Sequence, residues 1–222
     1  MMLFNRDRDR PWKFGLTTIL FLILAFYVKA QNAYVAFLDS SVIDVVQKDQ
    51  SNGRMLFWRG VATLMEPKMI IVWTVILAFL LWGFKFKIPA VWCLATLAGG
   101  DVVAYVVKDL VQRARPAGHL AIDNGYSFPS GHVFGTFLLM AMIWLILIPM
   151  IATPWRAWLV RLIVIVWIIM VMISRIYVGA HFPTDTIGAL LLAYLWLQIA
   201  QGLYIRLAPV MKRWPLLTHS EL

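Results

Sequence analysis

Apolar residues run in long uninterrupted blocks along this chain, broken by short polar connections, with none of the strict alternation expected of half-buried strands. Blocks long enough to cross a hydrocarbon core of roughly 30 Å as helix, about 20 residues each, fall at 14–33, 69–84, 88–107, 131–153, 158–173 and 186–207. The second and fifth are short for a full crossing, so flanking residues are expected to extend them. The longest connection, 34–68, is amphipathic. Val42, Ile43, Val45 and Val46, then Met55 to Trp58 beyond a turn at Ser51-Asn52-Gly53, predict short helices lying in the interface, or a loop packed over the bundle mouth. The fold class expected is all-α: a polytopic membrane bundle of six transmembrane helices with short interfacial helices in its first extracytoplasmic loop. One domain covers 1–222.

Composition agrees with that pattern. Of the 222 residues 62% are hydrophobic and 14% charged, with a mean hydropathy of +0.78. A net charge of +9 raises the possibility of nucleic-acid binding, but the Lys and Arg residues are dispersed at the ends of apolar blocks, without a basic helix or aromatic-basic strand, so no nucleic acid is expected. The single cysteine, Cys93, excludes an intrachain disulfide and a cysteine-built metal cluster.

An even number of spans puts both termini on one side, and the distribution of positive charge selects it. The termini, the second and fourth connections and the adjoining span ends carry eleven basic residues, Arg6, Arg8 and Arg10 among them, and three acidic ones. The other face carries nine basic and eight acidic residues. The termini are therefore expected in the cytoplasm of a multi-pass plasma-membrane protein. Residues 14–28 also have the outline of a signal-peptide core, with Val28-Lys29-Ala30 loosely resembling a cleavage site.

Three polar clusters stand out because charge beside apolar runs is costly unless it has a task. They are Lys108 with Arg115-Pro116, Pro129-Ser130-Gly131-His132, and Ser174-Arg175 with His181 and Asp185. Although up to 77 positions apart, all fall at span ends that parity returns to one membrane face, the extracytoplasmic one. Lys108, Arg115 and Arg175 supply cations suited to phosphate oxygens. Ser130 and Gly131 stand at a helix entrance, where a hydroxyl, backbone N–H groups and the positive helix end can meet an anion, and Gly131 permits close approach. His181 with Asp185 four residues on suits a nucleophile with an orienting carboxylate, leaving His132 as proton donor to the leaving oxygen.

Plainer readings exist for the same residues. Basic side chains at span ends, Lys108, Arg113 and Arg175 included, often only anchor to headgroups, and an interfacial histidine such as His119 is commonly structural. Pro183 disfavours regular helix at Phe182, so the pairing of His181 with Asp185 would need a turn at the helix start. Asp109 and Arg113 have the spacing of helical partners without a chemical role. Asp101, inside the third span, is either a contact within the bundle or a partner behind the site.

Lys108 with Arg115-Pro116, Pro129-Ser130-Gly131-His132, and Ser174-Arg175 with His181 and Asp185 resemble the three motifs of the type 2 phosphatidic acid phosphatase superfamily, over 108–185. The chain looks like a small bacterial member. The resemblance implies phosphate binding by Lys108, Arg115, Ser130, Gly131 and Arg175, with His181 as nucleophile, Asp185 as its partner and His132 as acid. It implies metal-independent hydrolysis with no cofactor, on a membrane lipid phosphate such as undecaprenyl diphosphate, phosphatidylglycerophosphate or phosphatidic acid. Two alternatives use the same pocket: a non-catalytic anionic-lipid binder or transporter, and a lipid phosphotransferase.

Overall fold

The computed structural model describes residues 7–117 and 125–221; His119 and Arg6 lie outside them. The described residues form eight helices and no strand: α1 Arg10–Lys29, α2 Ala33–Val46, α3 Asn52–Leu64, α4 Pro67–Gly83, α5 Lys87–Val111, α6 Gly131–Met142, α7 Pro154–Tyr177 and α8 Pro183–Met211. Proline stands at the first turn of α1, α4, α7 and α8, where its missing N–H has no intrahelical partner to lose. Beyond Met142, α6 widens into a π turn at Ile143–Leu147 and tightens at Ile148–Met150. Pro149 interrupts the regular ladder there, having no amide hydrogen to give.

Five of these helices, counting α6 through to Met150, are long and apolar enough to cross a membrane. The expected second span, α4, has 17 residues and follows α3 across a 50° bend; the number of spans is five, or six when that bent pair is counted as one. The expected fifth span extends at both ends to become the 24 residues of α7. α1, whose sequence also outlined a signal-peptide core, packs along α8, with Val28 buried and Phe21 stacked on Phe128 at 6.1 Å.

The predicted helices in 34–68 are present as α2 and α3. α2 lies against α7 and α8, and α3 against α7, so they cover one end of the bundle. Asn32 caps α2, its side chain accepting the Tyr34 N–H at 2.9 Å. Tyr177 Oη donates to the Asp49 carbonyl at 2.7 Å and Trp58 packs on the Tyr177 ring, which holds the α2–α3 hairpin on the end of α7.

The core runs along α5, α6 and α8, where Phe134, Leu138, Met142 and Ala193 are buried. The outer faces of α1, α4 and α7 are apolar and exposed, as at Phe26, Phe79 and Ile163. A surface of that extent is costly in water and suits lipid. Asp101, inside the expected third span, is exposed on α5.

Two ends of the bundle are distinguishable. Arg10 approaches Gly202, and the C-terminal segment closes on the α4–α5 turn through Glu221 N–H to the Lys85 carbonyl at 2.9 Å. At the other end Lys29 donates to the Leu110 carbonyl, and all three polar clusters gather nearby. Gly188 is critical at that end, because a Cβ there would collide with the ring of Phe128, which precedes Pro129-Ser130. Gly188→Ala should cost about 1–3 kcal/mol, the usual penalty of overpacking. A melting temperature in detergent equal to that of the unaltered protein would contradict this.

Candidate active site

α5 ends at Gln112 in the left-handed conformation (φ 57°), which turns the chain so that Arg113 and Arg115 face back over the bundle. Lys108, in the last turn of α5, donates from Nζ to the Tyr126 carbonyl at 2.7 Å. Ser127 ties the two sides of this connection together, its N–H bonding the Arg113 carbonyl at 2.8 Å and its hydroxyl the Ala114 carbonyl at 3.0 Å. Arg115 donates from Nε to the Gly125 carbonyl at 3.0 Å and from Nη1 to the Ala180 carbonyl at 2.9 Å.

The third cluster is built by the exit from α7. Gly179, at φ 71°, supplies a left-handed turn, and the N–H groups of Ala180 and His181 both bond the Arg175 carbonyl, at 3.1 and 3.2 Å. α8 begins at Pro183, so His181 precedes the helix and Asp185 sits in its first turn. Their approach therefore depends on the turn at the helix start: Asp185 Oδ2 accepts the Phe182 N–H at 2.9 Å and lies 3.5 Å from His181 Nδ1. The latter is ion-pair distance without hydrogen-bond alignment.

Arg115 fixes the other side of the ring. Its Nη1 is 3.3 Å from His181 Nε2. A guanidinium can only donate, so Nε2 must accept, which assigns the ring proton to Nδ1, facing Asp185. The lone pair then points toward the cations.

His181 is buried, and its pKa is pushed down from 6.5 to about 4. Burial, which disfavours the charged ring, is the largest cause; the adjacent Asp185 carboxylate acts against it, and the positive charges of Arg175 and Arg115 add to it. Because the folded value lies below the ordinary one, the ring stays neutral as pH falls through 6.5 and takes its proton only toward 4. With His181 as the nucleophile and a phosphate as the substrate, as the resemblance implies, the acid limb of kcat/KM, corrected for titration of that phosphate, should lie nearer pH 4 than pH 6.5. An acid limb at the ordinary histidine value would contradict the assignment.

The second cluster joins the third through the backbone, the Ser130 N–H bonding the Asp185 carbonyl at 3.2 Å. Ser130 is fully buried, and its hydroxyl has no hydrogen-bond partner among the described residues, not even as a cap for α6. A buried hydroxyl left unpaired costs about 1–3 kcal/mol. Ser130→Ala should therefore leave stability unchanged or slightly raised while lowering kcat/KM about tenfold or more, the worth of a hydrogen bond to a charged ligand. A variant that loses stability but keeps activity would show the hydroxyl to be structural. A Cβ on Gly131 would meet nothing within 4 Å, so the structure leaves open space in front of this backbone. His132, in the first turn of α6, lies within electrostatic reach of Arg175, His181, Arg115 and Lys108.

Every residue proposed from the sequence thus stands at this end of the bundle. Ser174 turns its hydroxyl back to its own helix, donating to the Val171 carbonyl at 2.7 Å. The pairing of Asp109 with Arg113 is corrected: Asp109 is exposed, whereas Arg113 donates to Asp185 Oδ1 at 2.7 Å, to Thr184 Oγ1 at 2.8 Å and to Asp39 Oδ2 at 2.6 Å. Leaving the helix after Val111 carries Arg113 out of register with Asp109 and toward the start of α8. Asp39 and Thr184 were not singled out in the sequence at all. No group of three or more His, Cys, Asp or Glu side chains among the described residues is placed to hold a metal ion.

The sequence model of the PAP2 superfamily matches residues 89–206. Phosphatidylglycerophosphatase B of Escherichia coli (strain K12) is 25% identical, across 68% of this chain and 76% of that protein. The Bacillus subtilis (strain 168) protein of the same name is 32% identical across 44% of this chain and 49% of its own. In fold, the chain is similar to a crystal structure of a transmembrane PAP2 type phosphatidylglycerolphosphate phosphatase from Bacillus subtilis, with a TM-score of 0.77 at 22% identity, covering 88% of this chain and 97% of that one. Aquifex aeolicus LpxE is more distant, with a TM-score of 0.55 at 20% identity, covering 74% and 95%. The chain belongs to the PAP2 superfamily, as an all-α, multi-pass membrane hydrolase of the lipid phosphatase type.

Proposed function

We propose that this protein removes the terminal phosphate of a membrane lipid phosphate or diphosphate by way of a phosphohistidine on His181, without a metal or other cofactor. The observation that carries this reading is the placement of His181 between Asp185 at Nδ1 and Arg115 at Nε2. Lys108, Arg115 and Arg175 bind the phosphate oxygens, together with Ser130 and the backbone at Gly131. Nε2 attacks phosphorus, the bond from phosphorus to the lipid oxygen breaks, and His132 protonates that oxygen. As Nε2 bonds phosphorus the ring gains positive charge, which Asp185 offsets. Water, giving its proton to His132, then attacks phosphorus and releases orthophosphate with neutral His181 restored.

Undecaprenyl diphosphate and phosphatidylglycerophosphate are the favoured substrates, with phosphatidic acid as a third. The second is supported by the names of the similar proteins from Escherichia coli and Bacillus subtilis. The first suits an extracytoplasmic site, which is supported by the charge bias and by the site lying at the end of the bundle remote from Arg10 and the C-terminal segment. The test is orthophosphate release by the purified protein from these three lipids in the presence of chelator. Turnover of water-soluble esters alone would overturn the lipid reading. Product that depends on an added alcohol acceptor would make the protein a phosphotransferase, and binding without release would make it a lipid binder or transporter.

A further inference from the structure

Asp39 stands on α2, far in sequence from all three clusters, yet its carboxylate is only 1% exposed. Oδ1 accepts the Thr184 N–H at 2.9 Å, and Oδ2 accepts the Thr184 hydroxyl at 2.8 Å and Arg113 Nη2 at 2.6 Å. The other arm of Arg113 holds Asp185 Oδ1, which leaves Oδ2 for the Phe182 N–H and His181. We infer that Asp39 and Arg113 are positioning residues for the hydrolysis, holding the Asp185 carboxylate in the orientation and with the net charge that it needs to support His181. The inference rests on the proposed role of His181 as nucleophile.

Orientation is the first part. With Oδ1 fixed by Arg113, rotation of the carboxylate is blocked and Oδ2 is kept toward the ring. The guanidinium is itself held on the Phe182 ring, 3.9 Å from its centroid.

Charge is the second part. Arg113 alone, 2.7 Å from Asp185, would draw on the negative charge that His181 needs as its ring becomes positive. Asp39 offsets that cation, so the three groups together present one net negative charge to the ring. The side chains of this triad are 13% exposed or less. Desolvation makes such buried ion pairs poor sources of stability, and apolar replacements of similar volume are often as stable. A plainer role is open to Asp39, since its bond to Thr184 caps the positive end of α8 from a neighbouring helix. A cap alone would affect folding and leave the titration of His181 where it is.

The groups that face His181 and enter its pH profile are Asp185 of α8, Arg175 of α7, Arg115 after α5 and His132 of α6. The experiment compares Asp39→Asn, Arg113→Gln and the double variant, as full-length protein in lipid-detergent micelles, by kcat, KM, the acid limb of kcat/KM and melting temperature. In Asp39→Asn the charge of Arg113 falls undivided on Asp185, so kcat should drop about tenfold, the scale of one hydrogen bond to a charged group, with KM little changed. The acid limb should move to lower pH, because Asp185 then favours the protonated ring less. Arg113→Gln should move it to higher pH. The double variant, with the two charges removed together, should return it close to its original position.

Acid limbs that stay in place or move in the same direction, with a fall in melting temperature, would overturn the proposal and leave Asp39 as a cap. If Asp39→Asn does not fold, Arg113→Lys decides, since it keeps the charge and loses the fork. It should lower kcat with the limb unmoved, and a limb displaced as in Arg113→Gln would contradict the charge argument. Loss of the underlying reading gives a different result, namely lipid phosphate hydrolysis that survives His181→Ala.

Discussion

His181→Ala should abolish phosphate release from every lipid substrate, by a factor on the order of 10⁴ or more, as when the nucleophile of a covalent mechanism is removed. The variant should still fold and still retain lipid phosphate. Lys108, Arg115 and Ser130 are supplied by other segments, and the His181 N–H that bonds the Arg175 carbonyl is backbone, so alanine keeps it and the Arg175 turn with it. The buried ring fills space, and its loss should lower stability by a few kcal/mol as cavity creation does, without dismantling the α7–α8 turn. Binding measured by retention of a labelled lipid phosphate separates the two effects. Residual turnover near that of the unaltered protein would mean that water attacks phosphorus directly.

Replacing His132 by alanine should give the second-largest loss, and one that depends on the leaving group. Protonation of the departing oxygen is worth about 10²–10⁴ when that oxygen would otherwise leave as an alkoxide. Phosphatidic acid therefore suffers most. Undecaprenyl diphosphate, whose leaving group is itself a phosphate of low basicity, suffers less, and p-nitrophenyl phosphate least. His132 also receives the proton of the attacking water in the second step, so with good leaving groups the variant should release one equivalent of product in a burst and then stall. Equal losses for all three substrates, with no burst, would assign His132 to binding.

The arrangement of spans and the single face of the site were legible in the sequence for one physical reason. Apolar block length and helix parity are properties of one segment at a time, and they survive errors of several residues at each boundary. The same holds for His181 and Asp185, which are close in sequence, although the turn before Pro183 rather than regular helix brings them together. The contacts of Arg113 with Asp39 and Asp185 span 74 and 72 positions and depend on where α2 comes to rest over the bundle end. Asp39 and Asp44 look alike within the apolar pattern of α2, yet one is buried against the site and the other is exposed. The spacing of Asp109 and Arg113 predicts that α5 continues through Arg113, and the left-handed residue Gln112, which has no strong sequence signature, ends it just before. Asp101 is a different case: a carboxylate inside a span suggested a partner, and the structure leaves it exposed on α5.

The most direct test of the central claim is to trap the covalent intermediate. The His132→Ala protein, mixed with lipid carrying a ³²P-labelled terminal phosphate, is quenched in alkali within one turnover and mapped by peptide mass spectrometry. The account predicts alkali-stable, acid-labile label on His181 alone, absent when His181 is also replaced by alanine. Label on another residue, or single-turnover phosphate release with no label on protein, would contradict it.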